Sequence, residues 1–234
     1  MSLKSQMSKC STCYISATEK PLQKCARCKA AKYCSKECQK ADWKNHKVNC
    51  MNNATLAEAL KEHDSTPLGQ LARLSIPDNI SMYELDQRLE GWVKFHNPTL
   101  MGSALHALEL SRDIMRTRSH VMYVKLAARP RSEHGNAVGK FFRVIDAYPV
   151  AVAEAHQWPE PWPASLNALK EMQELHASNG RPGNTAAAMV ECYPLAVQTV
   201  PFGSIPNMDD LPPLPNWKDV LIEEVEAGRR FRWR

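Results

Sequence analysis

The chain has 234 residues, 44% hydrophobic and 24% charged. It has no apolar run of about eighteen residues, which excludes a membrane-spanning helix, and its length suits one or two domains with a real core. Charge is uneven: residues 1–50 hold eleven Lys/Arg and three Asp/Glu, formally +8, whereas residues 51–234 hold nineteen and twenty-two, formally −3. The polar start, MSLKSQMSK, lacks the apolar core of a secretory signal. An intracellular, reducing location in nucleus or cytoplasm is therefore expected, where cysteines serve metals or cores more often than disulfides.

Residues 1–9 read as a flexible N-terminus. Seven of the eight cysteines follow it, at Cys10, Cys13, Cys25, Cys28, Cys34, Cys38 and Cys50, with His46 among them. The spacing is C-x2-C-x11-C-x2-C-x5-C-x3-C-x7-H-x3-C. Ser35 is a plausible N-cap for a helix over Lys36–Lys47, a stretch with no Gly or Pro. On that helix Cys38 and His46 stand roughly 12 Å apart along the axis. Zinc–ligand bonds are only about 2.0–2.3 Å, so one ion cannot hold both. Cys34 with Cys38, and His46 with Cys50, each need a second pair. Cys10 with Cys13 and Cys25 with Cys28 are available. Two fingers in series would place those four on one ion and fail the distance test for the rest.

The pattern, and the letters of "CARCKAAKYCSKECQKADWKNHK", resemble a MYND-type zinc finger. The resemblance covers residues 10–50 completely. It implies a cross-brace of two structural zinc ions with a short hairpin and a helix. Cys10, Cys13, Cys34 and Cys38 would hold one zinc; Cys25, Cys28, His46 and Cys50 would hold the other. With four protein ligands each, both sites are closed, the mark of structural zinc. Lys24, Lys29, Lys32 and Lys36 would offset the thiolate charge. The resemblance also implies that a proline-rich peptide docks beside Lys32–Cys34, with Gln39 and Trp43 forming its groove. The stripe Lys36, Lys40, Lys44 and Lys47 has no second aromatic for base stacking, which disfavours nucleic acid as a partner.

Residues 51–80 read as a hinge or linker with a short helix at Ala54–His63. Residues 81–234 read as an α+β domain with a small antiparallel sheet. Ser81 precedes a helix bearing Leu85, Leu89, Trp92 and Val93, expected to end at Asn97-Pro98. A second helix is expected from Leu100 to about Met115. His120–Arg129 and Gly139–Tyr148 read as a hairpin joined by the loop RSEHGN. A helix from Pro163 to Ser178 stops at Asn179-Gly180, and AAAMVECYPLAVQTV reads as a third strand. Asn216 is expected to cap a last helix that Gly228 stops. "LPPLPNW" at Leu211–Trp217 reads as a rigid linker, with docking onto the finger as the sharper alternative.

The finger followed at the end by "NWKDVLIEEVEAGRRF" resembles a group of fungal MYND-containing proteins. MYND fingers also accompany SET-type lysine methyltransferases, but the Asn-His-Ser-Cys-like stretch of those enzymes is missing from this sequence. Cys192 lies in the apolar string MVECYPLAV and reads as structural. His106, His120, His134, His156 and His176 lack metal-ligand spacing. The expectation is a non-enzymatic adaptor, possessing no catalytic residue, whose finger docks a proline-rich partner in regulation of transcription. The alternative is an enzyme or cofactor-binding protein with its activity in the C-terminal domain. Nucleic-acid binding by the basic finger ranks third.

Overall fold

The computed structural model describes residues 10–28, 31–178, 180, 183–203, 205, 208 and 211–229. The expected flexible residues 1–9, Lys29, Asn179 and the arginine-rich residues 230–234 lie outside them. The chain divides into two compact units, Met1–Leu68 and Gly69–Arg234.

The first unit pairs two very short strands with one long helix. β1 (Gln23–Lys24) and β2 (Lys32–Tyr33) form an antiparallel hairpin, Gln23 opposite Tyr33. α1 spans Lys36–Ser65, thirty residues. Ser35 Oγ accepts the Cys38 N–H at 3.3 Å and starts the helix, and Glu37 lies in the positively polarised first turn. The separate helix expected at Ala54–His63 is absorbed into α1. The reason is local: no Gly or Pro occurs between Lys36 and Ser65, and Pro67 is the first breaker.

The second unit is a four-stranded sheet between helices. β3 (His120–Ala128), β4 (Phe142–Ala151), β5 (Ala186–Cys192) and β6 (Gln198–Phe202) lie in the order β4-β3-β5-β6. β3 pairs antiparallel with β4, with Tyr123 opposite Tyr148, but parallel with β5, where Met122 faces Ala188. β5 and β6 are antiparallel. The sheet is therefore mixed, not purely antiparallel as the sequence suggested. β5 runs parallel to β3 because β4 intervenes: β4 ends at Ala151 beside the start of β3, and the chain returns through α3 (Trp162–Ser178) to begin β5 at that same end.

Successive side chains alternate between two cores, as the strand period of two requires. Met122, Val124, Ala188 and Val190 join Leu85, Leu89, Trp92, Leu100 and Leu221 from α2 (Met82–Ala107) and α4 (Trp217–Ala227). Val121, Tyr123, Ala187 and Met189 join Trp162, Leu166 and Leu169 of α3. Burial on both faces explains why β3 and β5 read as nearly continuous apolar runs.

Three further expectations change. α2 runs through Pro98 to Ala107, merging two expected helices. Pro98 costs about 3 kcal/mol in a helix interior, yet Leu85, Leu89, Trp92 and Leu100 are all buried on one face that continues past it. Several such burials at about 1.5–3 kcal/mol each outweigh the proline. Lys94 and Asn97 beside it are exposed, so water reaches the turn it disturbs. The expected third strand is two strands, because Tyr193-Pro194 cannot continue a ladder and forms the turn between β5 and β6. Asn216 precedes α4 without a side-chain capping bond, whereas Gly228 ends it in the left-handed region at φ 61°. Leu211 and Trp217 pack against the main core, so this part of LPPLPNW is used inside the second unit.

Candidate metal centre

Two knuckles and α1 converge in the first unit. The Cys10 N–H donates to the Ile15 carbonyl at 2.9 Å, and the Cys25 N–H to the Ala31 carbonyl at 2.8 Å, closing tight turns around the two paired cysteines. The Ser11 N–H reaches the Lys32 carbonyl at 2.8 Å, tying the first knuckle to the hairpin. Thr12 Oγ1 donates to the Cys38 carbonyl at 2.7 Å and ties it to α1.

The structure gathers Cys10, Cys13, Cys34 and Cys38 in one group. It gathers Cys25, Cys28, His46 and Cys50 in another, and within each group the ligand atoms lie within 4.8 Å of one another. Sγ of Cys13 and Cys34 are 3.5 Å apart, as are Sγ of Cys34 and Cys38. Cys25 Sγ and Cys50 Sγ are 3.8 Å apart, and Cys28 Sγ stands 3.5 Å from His46 Nε2. Four ligands at about 2.3 Å around a tetrahedral ion have edges of roughly 3.8 Å. The residues present thus fit zinc, and each group can hold one ion.

The electrostatics favour the same occupant. Burial pushes the Cys10 thiol up, but N–H groups of Cys13, Cys34 and Thr12 outweigh it and hold it at about 6. Cys25 is likewise held at about 6, burial being outweighed by the Cys28 N–H, His46 and the Arg27 N–H. The adjoining Cys13 thiol and then burial push Cys34 up to about 12. Burial and then Cys25 push Cys50 up to about 11. Sulfurs this close suppress one another's ionisation, and a bound dication removes that penalty.

Gln39 and Trp43 are one helical turn apart on α1 but do different things. Gln39 Nε2 points inward and lies 3.8 Å from Cys25 Sγ. Trp43 is 39% exposed and meets the His46 ring edge-on at 6.2 Å. Sequence reasoning missed Tyr33. It is buried between the groups, and its hydroxyl donates to Asp42 Oδ2 at 2.7 Å, joining β2 to α1. Only its place directly before Cys34 hinted at it.

Among the described residues, no third group of three or more metal-ligating side chains occurs. His134 meets Arg88, His176 meets Thr185 and His120 meets Ser119, each in a separate place. Cys192 is buried, and burial pushes its thiol up to about 12, which suits a core residue and not a nucleophile.

Residues 8–50 match the family described as MYND finger. This stretch is a MYND finger. Curated relatives share segments of similar length. SET domain-containing protein 14 of Caenorhabditis elegans is 46% identical over 55 residues, 24% of this chain and 11% of that protein. N-lysine methyltransferase SMYD2 of Mus musculus is 47% identical over 49 residues, 21% of this chain and 11% of that protein. SET domain and MYND-type zinc finger protein 6 of Schizosaccharomyces pombe is 56% identical over 43 residues, 18% of this chain and 8% of that protein. The matched segment thus spans about a tenth of these relatives' length. No solved structure matches the chain.

These relatives overturn the expectation of a non-enzymatic adaptor, since they are named as SET-domain proteins and lysine methyltransferases. The physical reason for the misreading is simple. Closed zinc sites do no chemistry themselves, but that property belongs to the finger and not to the polypeptide that carries it. As for a membrane, no helix among the described residues is long and apolar enough to cross one.

Proposed function

We propose that this chain is an intracellular enzyme acting on protein lysine side chains, with its reaction centre in Gly69–Arg234. Two zinc ions, each held by one of the finger's four-ligand groups, give the first unit its structure. The observation that carries the reading is the finger's similarity to curated proteins named N-lysine methyltransferase. The proposal concerns the reaction class and not the SET fold, because the Asn-His-Ser-Cys-like stretch is missing from this sequence. The intracellular location is supported by seven cysteines arranged as metal ligands, which a reducing compartment preserves.

The test is methyl transfer by the zinc-loaded full chain. The protein is incubated with methyl-labelled S-adenosylmethionine and a panel of lysine-containing proteins, and labelled residues are located by mass spectrometry. Label on lysine is expected. Folded, zinc-replete protein that transfers no label to any lysine would refute the reading.

A further inference from the structure

One cavity in the second unit has a wall chemistry that points to its occupant. It encloses about 480 Å³ and opens to solvent. Tyr123 of β3 and Tyr148 of β4 are cross-strand partners, their rings 5.2 Å apart. Trp162, at the start of α3, and Trp158 before it join them, with prolines and aliphatic side chains lining the remainder; Tyr123 and Trp162 are buried, and Tyr148 and Trp158 are the more exposed rings. The Trp162 and Trp158 rings lie 5.4 and 5.7 Å from Tyr123 and 4.5 Å from each other. Every ring contact is edge-to-face, so the four rings are turned at steep angles instead of stacked in one pile.

The charge in this cavity has a single sign. Among the described residues, Glu160 and Glu191 are its only ionisable acid or base side chains apart from the phenols, and no Lys, Arg or His lines it. Glu191 is held in place from two sides. The Tyr123 hydroxyl donates to Oε2 at 2.5 Å, and the Trp162 indole N–H faces Oε1 at 3.4 Å. Burial, then the carboxylates of Asp146, Glu154 and Glu191, hold the Tyr148 phenol above its ordinary range.

We propose that this aromatic box binds the methylated ammonium group of a lysine side chain presented by another protein. A methylated ammonium keeps its charge but is weakly hydrated, so ring faces and a fixed carboxylate attract it at little desolvation cost. Because both Glu191 oxygens already accept hydrogen bonds, the carboxylate acts mainly as a fixed charge, which suits a trimethylated head carrying no N–H. The open mouth admits an unbranched side chain from a peptide outside. The inference stands on the box alone and holds whether or not the chain transfers methyl groups.

The test is a tryptophan-fluorescence titration of the zinc-loaded full chain. The probes are a peptide with one central trimethyllysine, the same peptide unmodified, and tetramethylammonium chloride. The trimethylated peptide is expected to quench fluorescence and to bind about tenfold more tightly than the unmodified one. Tyr148→Ala, at a partly exposed strand position, should abolish that preference. Glu160→Gln, at an exposed position, should weaken binding without affecting the fold. Equal affinity for both peptides, or a preference untouched by Tyr148→Ala, would overturn the assignment. Tetramethylammonium binding as tightly as the trimethylated peptide would also overturn it, by making the free cation the ligand.

Discussion

Gln39 Nε2 lies 3.8 Å from Cys25 Sγ, so a side chain expected on a peptide groove is turned toward a metal-ligating sulfur. An amide N–H directed at a thiolate disperses its charge and fixes its orientation. Gln39→Ala should therefore weaken zinc at this group by about tenfold, the lower range for loss of an outer partner. Chelator competition on the full chain measures it. Unchanged affinity would show that the contact contributes nothing.

Native mass spectrometry should find two zinc ions per chain, one for each four-ligand group. Cys25→Ser should lower the count and remove finger structure, since a unit with so small a core depends on metal for folding. The near-ultraviolet signal of the buried Trp92 and Trp162 in the second unit should persist. Loss of both signals together would mean that the two units fold as one.

Leu221 is completely buried on α4, the helix that ends at Gly228. Leu221→Ala should cost about 2–5 kcal/mol, the lost transfer energy plus a cavity. Urea unfolding would show it as a lower midpoint. A change below about 1 kcal/mol would mean that α4 is not part of the cooperative core.

Lys218 Nζ donates to Asp146 Oδ1 at 2.5 Å, and this bond holds the Asp146 carboxyl below its ordinary range. A carboxyl with a depressed folded value stabilises the fold above its unfolded value of about 3.9. That stabilisation is lost as pH falls through the folded value. Both side chains are 43% exposed, so solvent screening limits the pair to about 0.2–1 kcal/mol. Lys218→Met should lower the melting temperature slightly at pH 7, and the difference should vanish in strong acid. A gap that persists there would point to lost packing instead.

The finger was legible because its information is local. Pairs three residues apart mark knuckles, and the helical rise alone shows that Cys38 and His46 belong to different ions. The second unit was legible only where periodicity is local too, as at Leu85, Leu89 and Trp92 on α2. Its sheet was not. Met122 meets Ala188 across more than sixty residues, and no local pattern distinguishes that parallel pairing from an antiparallel one. Pro98 and Pro194 show the same punctuation with opposite outcomes. The first yields to a continuous buried face, and the second, in a turn, does not. The aromatic box escaped notice because Tyr123, Tyr148, Trp158, Trp162 and Glu191 come from separate segments that only strand order brings together.

The thirty-residue helix α1 carries ligands for both zinc groups in its first half and continues fifteen residues past Cys50. A helix is costly to begin and cheap to extend. Metal bound at Cys38, His46 and Cys50 clamps the early turns and so serves as the nucleus from which residues 51–65 wind. Those residues add roughly 22 Å of rod, steadied by the ions upstream and by the packing of the buried Ala54, Leu60 and Asp64. Stripping zinc would loosen chain that holds no ligand, making the far end of the rod a remote readout of metal occupancy.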